Sequence, residues 1–270
     1  MGLILCENRQ AVHPLFIPDM GLRVFSLEEL CYVIYNYPLI AMDGLVNQRL
    51  MSFLRDDLRI GLQIVNLERS MSEWPDHDDV LLSILGFSDY YSSVEIEDFR
   101  ARIHEIRKTS RYEFYRMKGD LLFELGQYGK AITYYEKSLF VSKDQTADDI
   151  YFYRVCRNMG STYANLYQLD EAYLSYMKAY EYKKDEEVKK QIYFLARLQD
   201  DIEKKELYLK AVEGQSIAEW DNEFEEIMHS SDDDASLDEI NELRSLDAVK
   251  RRKSIETILN RWKRKYRNML

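Results

Sequence analysis

The chain has 270 residues, 46% of them hydrophobic, which is enough apolar surface for one large domain or two smaller ones. Its formal net charge of −11 is repelled by phosphate backbones, so nucleic acid is not expected as a partner. With only 10 glycines and 4 prolines the composition excludes a turn-rich β-protein and favours an all-α chain.

Cys6, Cys31 and Cys156 are too far apart for a disulfide framework or a CxxC pair, which fits a reducing cytoplasm. The opening MGLILCENRQ lacks a basic n-region, so no signal peptide is expected. No window approaches the ~18 uninterrupted apolar residues of a membrane span.

In chain order, a short strand is possible at GLRVF (21–25). Ser26 and Glu29 form a capping box before LCYVIYN, and Asp43 is placed to cap LVNQRLMSFL. There Leu45, Leu50, Phe53 and Leu54 are spaced for one buried face. A helix restarts after Pro75, and VEIEDFRARIHEI sets Ile96, Phe99, Ile103 and Ile106 in a single apolar stripe. These elements make a helical N-terminal domain over 1–108.

A repeat follows. Sliding the sequence by 41 positions lays RYEFYRMKGDLLFELGQYGKAITYYEKSL over YRVCRNMGSTYANLYQLDEAYLSYMKAY. Gly119 then meets Gly160, Leu125 meets Leu166, Ala131 meets Ala172 and Tyr135 meets Tyr176. The spacing predicts a helix, a tight turn at LGQYGK or LYQLDE, and an antiparallel second helix. Gly119 and Gly160 let that helix approach closely, and Tyr135 and Tyr176 fill the groove between. On Gly119, Tyr128, Ala131 and Tyr135, and on Gly160, Tyr163, Ala172, Tyr176 and Ala179, the chain resembles the tetratricopeptide repeat family. The resemblance covers about 112–181, and a blurred third copy, VKKQIYFLARL then KKELYLKAV with Ala196 as the small residue, extends it to about 212. It implies antiparallel helical hairpins stacked as a short right-handed superhelix over 109–212. Three features depart from the pattern. The step of 41 exceeds the usual ~34 by about two helical turns, assigned to VSKDQTAD (141–148). Ser138 stands where a small alanine is usual, and the family's proline at the repeat end is missing.

The remainder, 213–270, is polarised. Residues 213–247 hold 13 acidic side chains against Arg244, with SSDDDAS (230–236) read as a loop. Residues 250–270 hold 9 basic side chains against Glu256, with Ile255, Leu259, Trp262 and Tyr266 on one helical face. Such a helix can bind anionic lipid, bind nucleic acid, or close the repeat array; the near-cancelling charges favour intramolecular packing, with the stripe on the last hairpin.

Chemistry is not signalled. The chain contains no GxxxxGKS, GxGxxG, HExxH or GxSxG, and His13, His77, His104 and His229 are scattered. Asp76-His77-Asp78-Asp79 precedes an apolar run, where carboxylates cap free amides. No catalytic residue, cofactor or metal is therefore expected, and the 21 tyrosines read mainly as packing residues. The resemblance implies instead a concave groove lined by first helices: Arg116, Asp120, Phe123 and Glu124 from one copy, and Arg154, Arg157, Asn158, Ser161 and Asn165 from the next. Arg116, Asn158 and Lys190 fall near the family's chaperone-carboxylate clamp, but Asp120 stands where that clamp needs asparagine and would repel a carboxylate. The expectation is a cytoplasmic, non-enzymatic adaptor that holds another protein or peptide. Some bacterial sensors that join such repeats to a helical output domain suggest the alternative, a peptide-responsive regulator.

Overall fold

A computed structural model describes residues 10–61, 63–65, 67, 77–142, 147–213, 217–231, 239–240, 242–243 and 248–270. The protein is all-α, with one two-stranded ribbon among the described residues, and it divides into two compact units, Met1–Leu125 and Gly126–Leu270. Among the described residues no helix is long and apolar enough to cross a membrane. The opening MGLILC lies outside the described residues.

In the first unit β1 (Leu15–Ile17) pairs antiparallel with β2 (Leu22–Val24), so the strand expected in GLRVF is present. Gly21, at φ 63°, ends the turn between them, a conformation that glycine adopts without a Cβ clash. Helix α1 (Leu27–Asn36) begins as anticipated: Ser26 Oγ accepts the Glu29 amide at 3.2 Å. Glu29 reaches one residue further back than a capping box requires, accepting the Phe25 amide at 2.6 Å.

Asp43 does not cap the next helix. The chain passes from α2 (Pro38–Ile40) into a wide turn, Ala41–Leu45, broken at Asp43 and at Gly44, whose φ is 94°. Asn47 supplies the cap of α3 (Gln48–Ser52), its Oδ1 accepting the Arg49 and Leu50 amides at 2.9 and 3.1 Å. Asp43 is drawn instead to the Lys118 ammonium, 2.7 Å away. Leu45, Leu50, Phe53 and Leu54 are all buried, as their spacing requires, although the helix is interrupted between them.

Trp74, Pro75 and Asp76 lie outside the described residues. Helix α4 (His77–Leu85) opens with Asp78, which binds Arg107 through both oxygens at 2.6 and 2.8 Å. Arg107 belongs to α5 (Ser93–Lys108), which buries Phe99, Ile103 and Ile106 and starts with a full capping box at Ser92 and Glu95. Helix α6 (Arg111–Glu124) follows a Ser110 cap. The contact division falls after Leu125, so α6, which the sequence reading assigns to the repeats, is grouped with the N-terminal helices. A fully buried Lys118 ties it there, salt-bridged to Asp19 at 2.5 Å and to Asp43.

The second unit contains α7 (Tyr128–Ser142), α8 (Asp149–Asn165), α9 (Leu169–Tyr182), α10 (Glu186–Leu198), α11 (Ile202–Ala211), α12 (Ile217–Ser231) and α13 (Ala248–Met269). Neighbouring helices pack in sequence from α7 to α11. Ala131, Tyr135, Ala172, Tyr176 and Ala179 are buried, and Gly160 lies against Tyr176 so closely that a Cβ there would meet its ring carbons at 2.6 Å. The turn also repeats: Gly126 (φ 69°) and Tyr167 (φ 59°), one 41-residue step apart, both adopt the left-handed conformation. Tyr167 is held in it while its hydroxyl donates to the Leu198 carbonyl at 3.1 Å. Ser138 is fully buried and hydrogen-bonded to the Tyr151 hydroxyl, which is how a polar residue is tolerated at that position.

Part of VSKDQTAD (143–146) and most of SSDDDAS (232–236) lie outside the described residues; Ser230 and Ser231 end α12. The apolar stripe of α13 is not packed as the sequence reading has it. Ile255, Leu259, Trp262 and Tyr266 are 39%, 43%, 40% and 42% exposed, whereas Ile258, on the edge of the stripe, is the buried residue.

Candidate functional site

Helix α8 is buried along two flanks. Tyr153, Cys156 and Gly160 recur at steps of three and four on one, and Tyr151, Val155 and Thr162 lie on the other. The sector between them is a single stripe that carries Arg154, Arg157, Asn158, Ser161 and Asn165. Arg154, Arg157 and Asn165 are exposed; Asn158 and Ser161 are half-buried. Ser161 is anchored by the Tyr176 hydroxyl at 3.0 Å, and the Asn165 amide donates to the Ser161 carbonyl at 2.9 Å. The stripe is thus cationic, with ordered hydrogen-bonding groups along its centre.

Arg116, Asp120 and Phe123 belong to α6 and so to the first unit. All three are half-buried. Arg116 is engaged on its own helix, with Glu113 at 3.0 Å and Asp120 at 2.5 Å. A ligand carboxylate arriving there would have to displace two carboxylates already in place, so Arg116 is not poised as an anion clamp.

The third copy brings a surface that the sequence reading missed. Aligning Ala196 with Gly160 puts Lys190, Tyr193, Phe194 and Arg197 of α10 at the positions of Arg154, Arg157, Asn158 and Ser161. In α10 that face is covered by α12. Phe194 packs on Phe224 with ring centroids 5.5 Å apart, and Tyr193 packs on Trp220 at 5.9 Å. The Arg197 guanidinium lies 4.7 Å over the Phe224 ring and pairs with Asp221 and with Glu225 at 2.5 Å. Lys190 pairs with Glu223 at 3.2 Å and Glu187 at 3.1 Å. Hydrogen bonds to carboxylates raise the pKa of Lys190, and those that Arg197 donates to Tyr193 and Glu225 raise its own, so both stay charged. The sequence reading treats 213–247 only as an acidic segment. Trp220 and Phe224, one turn apart among carboxylates, are the signal of an amphipathic acidic helix.

Asp185 joins α8 to α10. It caps α10 through the Glu187 amide at 3.1 Å and accepts from the Tyr153 hydroxyl and the Lys183 ammonium, both at 2.7 Å. The bonds from Lys183 and then Tyr153 hold its pKa down to about 2. A depressed carboxylate stabilises the fold fully above its unfolded pKa near 4, and the contribution fades as pH falls towards the folded value. Asp185→Asn is therefore expected to lose about 1 kcal/mol at pH 7, reduced for partial solvent screening. The deficit should close towards pH 2, as read by urea midpoints across that range. An unchanged pH profile would count against the assignment.

Neither described cysteine is reactive: burial pushes the thiols of Cys31 and Cys156 up to about 11. Tyrosines at the hairpin contacts act structurally, as where Tyr208 stacks on Tyr173 at 4.3 Å and donates to Asp170 at 2.6 Å. The arrangement can hold a partner through charge, amide and aromatic contacts. The chain matches none of the protein-family models, curated proteins or solved structures compared with it.

Proposed function

We propose that the protein is a non-enzymatic adaptor of tetratricopeptide-repeat type, holding an acidic peptide or protein helix on the outward faces of its repeat helices. The observation that carries this reading is α12 on α10. A cationic, aromatic face of one repeat helix there holds an acidic aromatic helix of the same chain, while on the corresponding face of α8 Arg154, Arg157 and Asn165 are exposed. Recognition by side chains fixed on packed helices costs little ordering on the adaptor side. The α12 contact also favours the regulatory alternative, in which an arriving peptide displaces α12 from α10.

The test is a comparative pull-down from the native source lysate, with the full chain and with Arg154→Glu/Arg157→Glu/Asn158→Ala as baits. The expected result is a protein captured by the first and lost, by at least about tenfold, with the second, because two buried-rim charge contacts contribute roughly that much. Arg154 and Arg157 are exposed and alanine at 158 keeps the helix, so circular dichroism of the two baits should coincide. Equal capture by both would remove α8 as the site. A synthetic peptide of residues 217–231 supplies a second probe. It should bind in trans to a chain carrying Trp220→Ala/Phe224→Ala more tightly than to the wild type, whose α10 face is already covered.

A further inference from the structure

We propose that α13 is a docking surface for an anionic lipid bilayer. Three observations carry this. First, Ile255, Leu259, Trp262 and Tyr266 recur at steps of four and three, which sets them on one face, and all four are exposed. Ile258, on the flank of that face, is 6% exposed, so the helix rests on the protein by its edge and leaves the stripe turned outward.

Second, the charge is arranged around the stripe. Residues 250–270 contain 9 basic side chains and one acidic one, in a chain whose net charge is −11. On a helical projection Lys263 borders one side of the apolar sector and Lys265 the other, and both are exposed. The rest of the acidic protein is repelled by an anionic surface, so approach is steered helix-first.

Third, the chain's own acidic helix is engaged elsewhere. Asp221, Glu223 and Glu225 of α12 pair with Lys190 and Arg197 of α10. Glu239 pairs with Arg261 of α13, while Lys263 and Lys265 beside the stripe are exposed. The stripe runs over about three helical turns and mixes aliphatic with aromatic residues. Trp262 and Tyr266 have the apolar body and polar tip that settle at the headgroup boundary. A nucleic acid could use the cations but gives Ile255 and Leu259 nothing to bury against.

The experiment is cosedimentation of the full chain with vesicles of phosphatidylcholine alone and of phosphatidylcholine mixed with phosphatidylglycerol. Binding is expected to the second and not the first, and to weaken as salt rises. Lys263→Gln/Lys265→Gln should lower the partition coefficient roughly thirty-fold, since each basic residue at an anionic surface contributes about five-fold. Trp262→Ser, which keeps every charge, should also weaken binding, and both variants should retain the wild-type circular dichroism because the residues are exposed. Failure to bind anionic vesicles would overturn the proposal. So would binding indifferent to Trp262→Ser, which would leave charge alone acting and point to a nucleic acid or acidic protein. The α8 face is untouched by these variants, so this result stands apart from the adaptor reading.

Discussion

Lys118→Met is expected to destabilise the first unit by about 3 kcal/mol, the low end of the cost of removing one member of a buried ion pair. The Lys118 side chain is fully buried, with its ammonium between Asp19 at 2.5 Å and Asp43 at 2.7 Å. Methionine keeps most of the stem but removes the ammonium that binds both carboxylates. Their side chains are 27% and 35% exposed, so water can partly solvate them, which is why the low end applies. Hydrogen exchange reads the effect unit by unit: amides in α1 and α6 should open more readily, while those in α9 should not change. Adding Asp19→Asn and Asp43→Asn should recover much of the loss, because a neutral polar cluster no longer carries an uncompensated charge. If α1 and α6 are as protected in Lys118→Met as in the wild type, the ion pairs do not hold α6 to its unit.

Gly160→Ala should cost about 2 kcal/mol in the second unit. A methyl at that position would lie 2.6 Å from Cδ1 and Cε1 of Tyr176. The tyrosine is only 2% exposed and its hydroxyl is tied to Ser161, so its ring cannot swing aside freely. Overpacking of this kind costs roughly 1–3 kcal/mol or more, against which alanine regains about 1 kcal/mol of helix propensity. A double-mutant cycle separates the two effects. In a Tyr176→Ala background the clash is gone, and Gly160→Ala should become stabilising by about 1 kcal/mol. The change of sign between backgrounds is the diagnostic outcome. Stabilisation in both would mean that the close approach of α8 and α9 does not depend on glycine.

The two variants probe different parts of what could be read in advance. Gly160, Ala172 and Tyr176 announce their packing in the sequence, because close helix approach depends on residue size at fixed spacing and the same spacing occurs twice. The left-handed turn at Gly126 is similarly legible. Its counterpart at Tyr167 is not, since nothing in a tyrosine signals a positive φ. Helical spacing groups Arg154, Arg157, Asn158, Ser161 and Asn165 on one stripe of α8, whereas a groove lined by them is implied by the family resemblance alone.

Lys118 gives no such signal. Phe114, Tyr115, Leu121 and Leu122 place Lys118 on the apolar face of its helix, but they do not say what receives the charge, because its partners lie far away in sequence at Asp19 and Asp43. The same limit applies to Asp43, which reads as a helix cap until Lys118 is seen to hold it. Arg116 differs, since its partners Glu113 and Asp120 lie three and four residues away on the same helix. The seat of α12 on α10 and the open stripe of α13 extend this point. From composition the acidic and basic segments should meet, because net charge is additive and blind to position. In the fold the acidic helix goes to Lys190 and Arg197, where Tyr193 and Phe194 also bury Trp220 and Phe224. Local periodicity and residue size are properties of the chain itself, and they determine helices, turns and inner faces. Which distant charge meets which is settled only when packing decides what else is buried with it.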